Sequence, residues 1–154
     1  MGQRLEGKRA VITGGGRGIG KAIALSYVRE GAQCVITSRK LDDLEATSEE
    51  GPEGTIKPFV CDVSNDESVA AMAEFVNDEF GGVDIVVNNA GIHAAGRFLD
   101  IDPATYTRLY EVNVVGIVRV SQAFLGGMIE RGRGSIVNIA STAGLFESPG
   151  QAPY

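Results

Sequence analysis

The chain has 154 residues, 44% of them hydrophobic, and a formal net charge of −6, which suits one compact domain over residues 1–154 with a sizeable core. It lacks a Lys/Arg cluster of the kind that tracks a phosphate backbone, which argues against nucleic-acid binding. There is no unbroken run of about 18 apolar residues, and Met1-Gly2-Gln3-Arg4-Leu5-Glu6 has neither a signal-peptide core nor a myristoylation pattern, so the expected address is cytoplasmic and off the membrane.

The first strand is expected at Ala10–Thr13 and runs into Gly14-Gly15-Gly16-Arg17-Gly18-Ile19-Gly20, after which apolar positions recur at helical spacing over 18–30. A glycine-rich strand-to-helix junction exposes unpaired helix N–H groups, and with no Cβ in the way a pyrophosphate can approach the backbone. Gly14, Gly18 and Gly20 give G-x-x-x-G-x-G, a variant of the usual dinucleotide spacing. Gly15 to Lys21 also reads as a near P-loop, but Ala22 stands where a Mg²⁺-binding hydroxyl belongs. On this stretch alone, dinucleotide binding, a degenerate P-loop and a purely structural turn all stay open.

Further strands are expected at Cys34–Ser38, Ile56–Cys61, Val83–Val87 and Ser135–Ala140, with helices near 41–50, 66–80 and 104–132. Strands apolar throughout, alternating with helices, imply a parallel sheet buried on both faces. Ser64-x-x-Glu67 offers a capping box for the third helix. Cys34 opens one strand and Cys61 closes the next, so parallel neighbours put the sulfurs roughly 13 Å apart, out of disulfide reach. Two cysteines also make a poor metal site, and no metal is expected. The helix at 104–132 is apolar around much of its circumference and needs cover on more than one side.

In an open parallel sheet, ligands bind beyond the carboxyl ends of the strands. Those ends carry the glycine turn, Ser38-Arg39-Lys40, Asp62-Val63, Asn88-Asn89-Ala90-Gly91 and Ser141. Polar groups delivered by five separate strands do not read as core.

Thr13-Gly14-x-x-x-Gly18-x-Gly20, Asp62-Val63, Asn88-Asn89-Ala90-Gly91, Asn113, and Ser141 thirteen residues before Tyr154 resemble the short-chain dehydrogenase/reductase family over the whole chain. The order and spacing of the motifs together remove the P-loop alternative. The resemblance implies an α/β, Rossmann-type doubly wound parallel sheet in three layers. It further implies hydride transfer between a nicotinamide and a small carbonyl or secondary-alcohol substrate, and a homodimer or homotetramer. Gly14, Gly16, Gly18, Ile19 and Gly20 would hold the cofactor phosphates, Asp62 and Val63 its adenine, and Asn89, Ala90 and Gly91 its central part. Tyr154 would be the general acid/base, Ser141 would hold the substrate oxygen, and Asn113 would bend its helix to bind a relay water.

Where an acidic residue would accept the ribose 2′-OH of NAD(H), this chain has Ser38-Arg39. Arg39 and Arg17 are suited to a 2′-phosphate, so NADP(H) is the preferred cofactor and NAD(H) the alternative; the plain reading of both arginines is solvated surface charge. Ser141 likewise has a plain reading as a strand-end hydroxyl capping the backbone. His93 either touches substrate or is solvated, and Leu145 and Phe146 are expected to wall an apolar pocket.

The family's lysine, four residues beyond the tyrosine, has no counterpart in a sequence that stops at Tyr154, and the family's last strands are missing too. The 154 residues alone are therefore expected to be catalytically feeble, with Ser135–Ala140 a bare edge strand. Two readings stay open: the front part of a longer reductase, or a non-catalytic module that binds a nucleotide or a partner.

Overall fold

Successive residues of a strand point to opposite faces, and in the central strands of this chain both faces are apolar. The computed structural model, which describes residues 3–146 and 149–154, pairs β1 (Arg9–Thr13), β2 (Gln33–Ser38), β3 (Ile56–Val60), β4 (Ile85–Asn88) and β5 (Ser135–Asn138) in one sheet of order β3-β2-β1-β4-β5, parallel throughout. Met1, Gly2 and Glu147 lie outside the described residues. Ala10, Ile12, Cys34, Ile36 and Val87 pack on one face with Ala24 and Val28 of α1 (Gly18–Arg29) and Leu44 of α2 (Leu41–Glu49). Val11, Val35 and Val86 pack on the other with Met72 and Val76 of α3 (Asp66–Phe80) and with Val120 and Phe124 of α5 (Gly116–Glu130). This is the three-layer doubly wound sheet that the alternation predicts. The chain builds outward from β1 in both directions, so the crevice opens between β1 and β4.

Cys34 and Cys61 are both buried and unpaired, at opposite ends of neighbouring strands. Burial pushes the Cys34 thiol up to about 12. Pro58 sits on the edge strand β3, where a missing N–H does least harm. β5 is the other edge, and Val137 on it is exposed.

Three expectations need correction. The helix expected over 104–132 is three pieces: α4 (Pro103–Tyr110), a π-turn at Glu111–Val115, and α5. The fourth strand starts at Ile85 and not at Val83, because Asp84 turns aside to bind Arg9: its N–H donates to the Arg9 carbonyl at 2.9 Å, and its carboxylate accepts the Arg9 N–H at 3.1 Å. The cap of α3 is Asn65, which accepts the Ser68 N–H at 2.7 Å, because the helix begins at Asp66, one residue later than a Ser64 cap requires; the Ser64 hydroxyl donates to Asp62 at 2.6 Å. The segment Pro103–Glu130 also reaches a mean hydropathy of 1.5, enough by length and composition to cross a membrane, although no unbroken apolar run lies in it. Its inner residues Leu109, Val112, Val120, Phe124 and Met128 are buried, while Tyr110, Val114, Val118, Leu125 and Ile129 leave an exposed apolar stripe outside.

Candidate active site

The glycine turn follows from what each position has to avoid. Gly14 (φ +66°) and Gly18 (φ +54°) are left-handed, a conformation that side chains disfavour. A Cβ on Gly20 would collide with the Gly14 carbonyl oxygen and the Asn89 amide, whereas one on Gly18 would meet only open space. The turn is held by Gly15 N–H donating to Thr37 O at 3.0 Å and by the Thr47 hydroxyl donating to Gly16 O at 2.9 Å. α1 then starts without a side-chain cap, leaving its first-turn N–H groups for an acceptor from outside the helix.

The turn after β4 is fastened to this one. Thr13 Oγ1 accepts the backbone N–H of both Asn89 and Ala90 at 3.0 Å, and the Asn89 side chain donates to the carbonyls of Thr13 and Gly14 at 3.0 and 3.2 Å. Asn88 donates to Ser121 and to Asn138 on β5. Asn113, in the π-turn, clamps Ile92 from both sides: its Oδ1 accepts the Ile92 N–H at 2.8 Å and its Nδ2 donates to the Ile92 carbonyl at 2.9 Å.

A cavity of about 150 Å³ lies beyond β1, β2 and β3. Gly14, Arg17, Ser38, Arg39, Asp62 and Val63 line it, and Ala90 and Gly91 close one side. Burial works against the charge on Asp62, but hydrogen bonds from the Ser64 hydroxyl and N–H, together with the nearby Arg39 and Arg108, hold its carboxyl below the ordinary range. The Ser38 hydroxyl is engaged with its own loop, accepting the Lys40 N–H at 3.2 Å.

A second cavity of about 530 Å³ lies beyond β4 and β5. It brings Ile19, Asn89, Asn113, Ser141 and Tyr154 together and shares Ala90 and Gly91 with the first. Ser141 Oγ accepts the Ala143 N–H at 3.1 Å, so the capping reading is correct for its lone pairs, while its O–H stays available to donate. His93 faces Tyr154 and lines this cavity. Phe146 lines the adjoining space, but Leu145 is 80% exposed and lines neither cavity, because the tight turn at Thr142–Gly144 carries it outward. Gly16, Gly18 and Gly20 shape the turn without lining either cavity.

Sequence reasoning missed several residues. Thr13, quoted only as part of a motif, is the pin between the two turns; a hydroxyl in an otherwise apolar strand was its signal. Lys40 adds a third cation to the first cavity, and its place beside Arg39 was visible. Asp43, in the first turn of α2, also lines that cavity, so the cations there do share it with a second carboxylate. Arg108, which acts on Asp62 from α4, had no local signal.

The family model described as short chain dehydrogenase matches residues 8–154. An uncharacterized oxidoreductase, YvrD, of Bacillus subtilis is 39% identical, with 100% of this chain and 59% of the relative covered. The 3-oxoacyl-[acyl-carrier-protein] reductase FabG of Vibrio cholerae is 40% identical, with 97% and 61% covered. The chain thus spans about three-fifths of the length of these relatives. Among solved structures, a metagenomic short-chain oxidoreductase in complex with NADP superposes with a TM-score of 0.91 at 37% identity, over 97% of this chain and 69% of that one.

Proposed function

The chain belongs to the short-chain dehydrogenase family, and on that premise we propose that the protein is an NADP(H)-dependent oxidoreductase acting on a small carbonyl compound or secondary alcohol. The residues present fit the cofactor: α1 begins uncapped, and at Gly18 the backbone beside its first turn faces open space. Arg17 and Arg39 bind a 2′-phosphate with charge-assisted hydrogen bonds, Lys40 adds charge, and Ser38 lines their cavity. Asp62 receives the adenine amino group and Val63 packs on the ring. Gly14, Gly16, Gly18, Ile19 and Gly20 form the phosphate turn, and Asn89, Ala90 and Gly91 form the floor between the cavities. NAD(H) is the weaker-bound alternative. The solved relative's complex with NADP supports this preference.

When bound, the nicotinamide supplies or accepts a hydride. In the reductive direction Tyr154 gives its phenolic proton to the carbonyl oxygen, and the Ser141 O–H donates to the same oxygen as charge develops there. Asn113 holds Ile92, and with it the loop that carries the cavity wall. Ile19, Ile117 and Ile139 give that wall an apolar character, which suits a substrate with a hydrophobic body. The exposed stripe on α4 and α5 suits a twin helix in a homodimer or homotetramer. A cytoplasmic address accords with both.

The single observation that carries the reading is that Ser141, Tyr154 and Asn113, far apart in sequence, line one cavity. The test is NADPH consumption against a panel of carbonyl compounds. Tyr154→Phe is expected to lower turnover by about 100-fold or more while leaving NADPH affinity intact. Turnover of that variant at the unsubstituted rate would overturn the assignment.

A further inference from the structure

One side chain on the larger cavity has no part in the mechanism above. His93 and Tyr154 carry the titratable side chains among the described residues that line it, and their rings meet edge to face, with centroids 4.9 Å apart and planes at 67°. Such a pair is attractive because the positive edge of one ring meets the negative face of the other. We propose that His93 is a positioning residue for Tyr154, fixing the direction of the phenol in the cavity that Ser141 also lines.

His93 is exposed, and two features anchor the backbone that carries it. It follows Ile92, which Asn113 holds by two hydrogen bonds. Three residues later, Gly96 N–H donates to Gly150 O at 2.8 Å, so the same loop also grips the backbone that leads into Tyr154. Tyr154 N–H donates to Gln151 O at 3.0 Å, which closes a turn of its own segment. The backbone bonds locate that segment, and the ring contact determines where within it the phenol points. The reading of Tyr154 as proton donor gives this geometry its purpose, and the inference rests on that reading for its value to turnover but not for the contact itself.

Ring-labelled ¹³C-tyrosine NMR tests it. The protein has four tyrosines, and Tyr154→Phe identifies the Tyr154 signal. His93→Ala and His93→Gln are expected to move that signal by removing the neighbouring ring, while Tyr27, Tyr106 and Tyr110 stay in place as internal reporters of the fold. His93→Phe, which keeps an aromatic edge, is expected to hold the signal near its original position. In turnover, His93→Ala lowers kcat about tenfold with KM little changed, and Phe restores most of it. An unmoved Tyr154 signal in His93→Ala, or a His93→Phe spectrum as displaced as that of Ala, overturns the proposal. NADPH titration of the unsubstituted protein is read separately: failure there overturns the cofactor assignment and leaves the NMR result standing.

Discussion

The Asn89 side chain donates to the Thr13 carbonyl at 3.0 Å, and the Thr13 hydroxyl accepts the Asn89 backbone N–H at the same distance. These two bonds, both donated by Asn89 and accepted by Thr13, tie the end of β1 to the end of β4, the two strands between which the crevice opens. Each strand end carries part of the site, with the glycine turn on one and the Asn89-Ala90-Gly91 floor on the other, so the pair sets the spacing of the whole cleft.

Thr13 is 1% exposed, so its replacement by an isosteric apolar residue leaves buried donors without partners. Thr13→Val is expected to reduce stability by about 1–3 kcal/mol, read as a lower urea midpoint, because the N–H groups of Asn89 and Ala90 both lose their acceptor. Thr13→Ser keeps the oxygen and is expected to lose less than half as much. Equal losses in the two variants would mean that methyl packing, and not the hydroxyl, dominates.

Two glycines of the same turn separate folding from binding. Gly20→Ala forces a Cβ against the Gly14 carbonyl and the Asn89 amide, with an expected loss of more than about 2 kcal/mol from overpacking. Gly18→Ala places its methyl in open space and carries only the left-handed backbone penalty, about 1–2 kcal/mol. Thermal unfolding paired with NADPH titration distinguishes them: Gly18→Ala is expected to weaken nucleotide binding more than its modest stability loss suggests, because its methyl would stand in the open space through which the proposed cofactor phosphates approach.

The layers and the strand-end residues were legible in the sequence because they rest on short-range rules: apolar strands, helical spacing and the steric freedom of glycine. What stayed hidden was decided by partners far along the chain. The π-turn at Glu111–Val115 adds no recognisable residue to the helix, and only the family resemblance pointed to a bend at Asn113; its cause is the clamp between Asn113 and Ile92, twenty-one positions apart. The cap of α3 passed from Ser64 to Asn65, two equally capable caps, because the helix starts one residue later, at Asp66, and the Asp62–Ser64 turn precedes it. Asp43 reads as an ordinary acidic residue in a first helical turn until α2 is seen to close the first cavity.

Asp62 makes stability depend on pH in a defined direction. Its carboxyl is held below the ordinary range in the folded chain, so it contributes stability above the unfolded value of about 3.9 and loses it as pH falls through the lower folded value. Asp62→Asn is therefore expected to melt below the unsubstituted protein at neutral pH, with the gap closing in acid. Thermal midpoints taken from neutral down to about pH 3 check this. A gap that widens on acidification would mean that Asp62 is destabilising when ionised.

If Arg17 and Arg39 make the first cavity a site for a 2′-phosphate, paired fluorescence titrations with NADPH and NADH will separate the two nucleotides. Both are expected to bind saturably, NADPH at least about tenfold tighter, with Arg39→Ala removing most of that preference while leaving NADH affinity nearly unchanged. Equal affinity for the two nucleotides, or a preference that survives in Arg39→Ala, would contradict it.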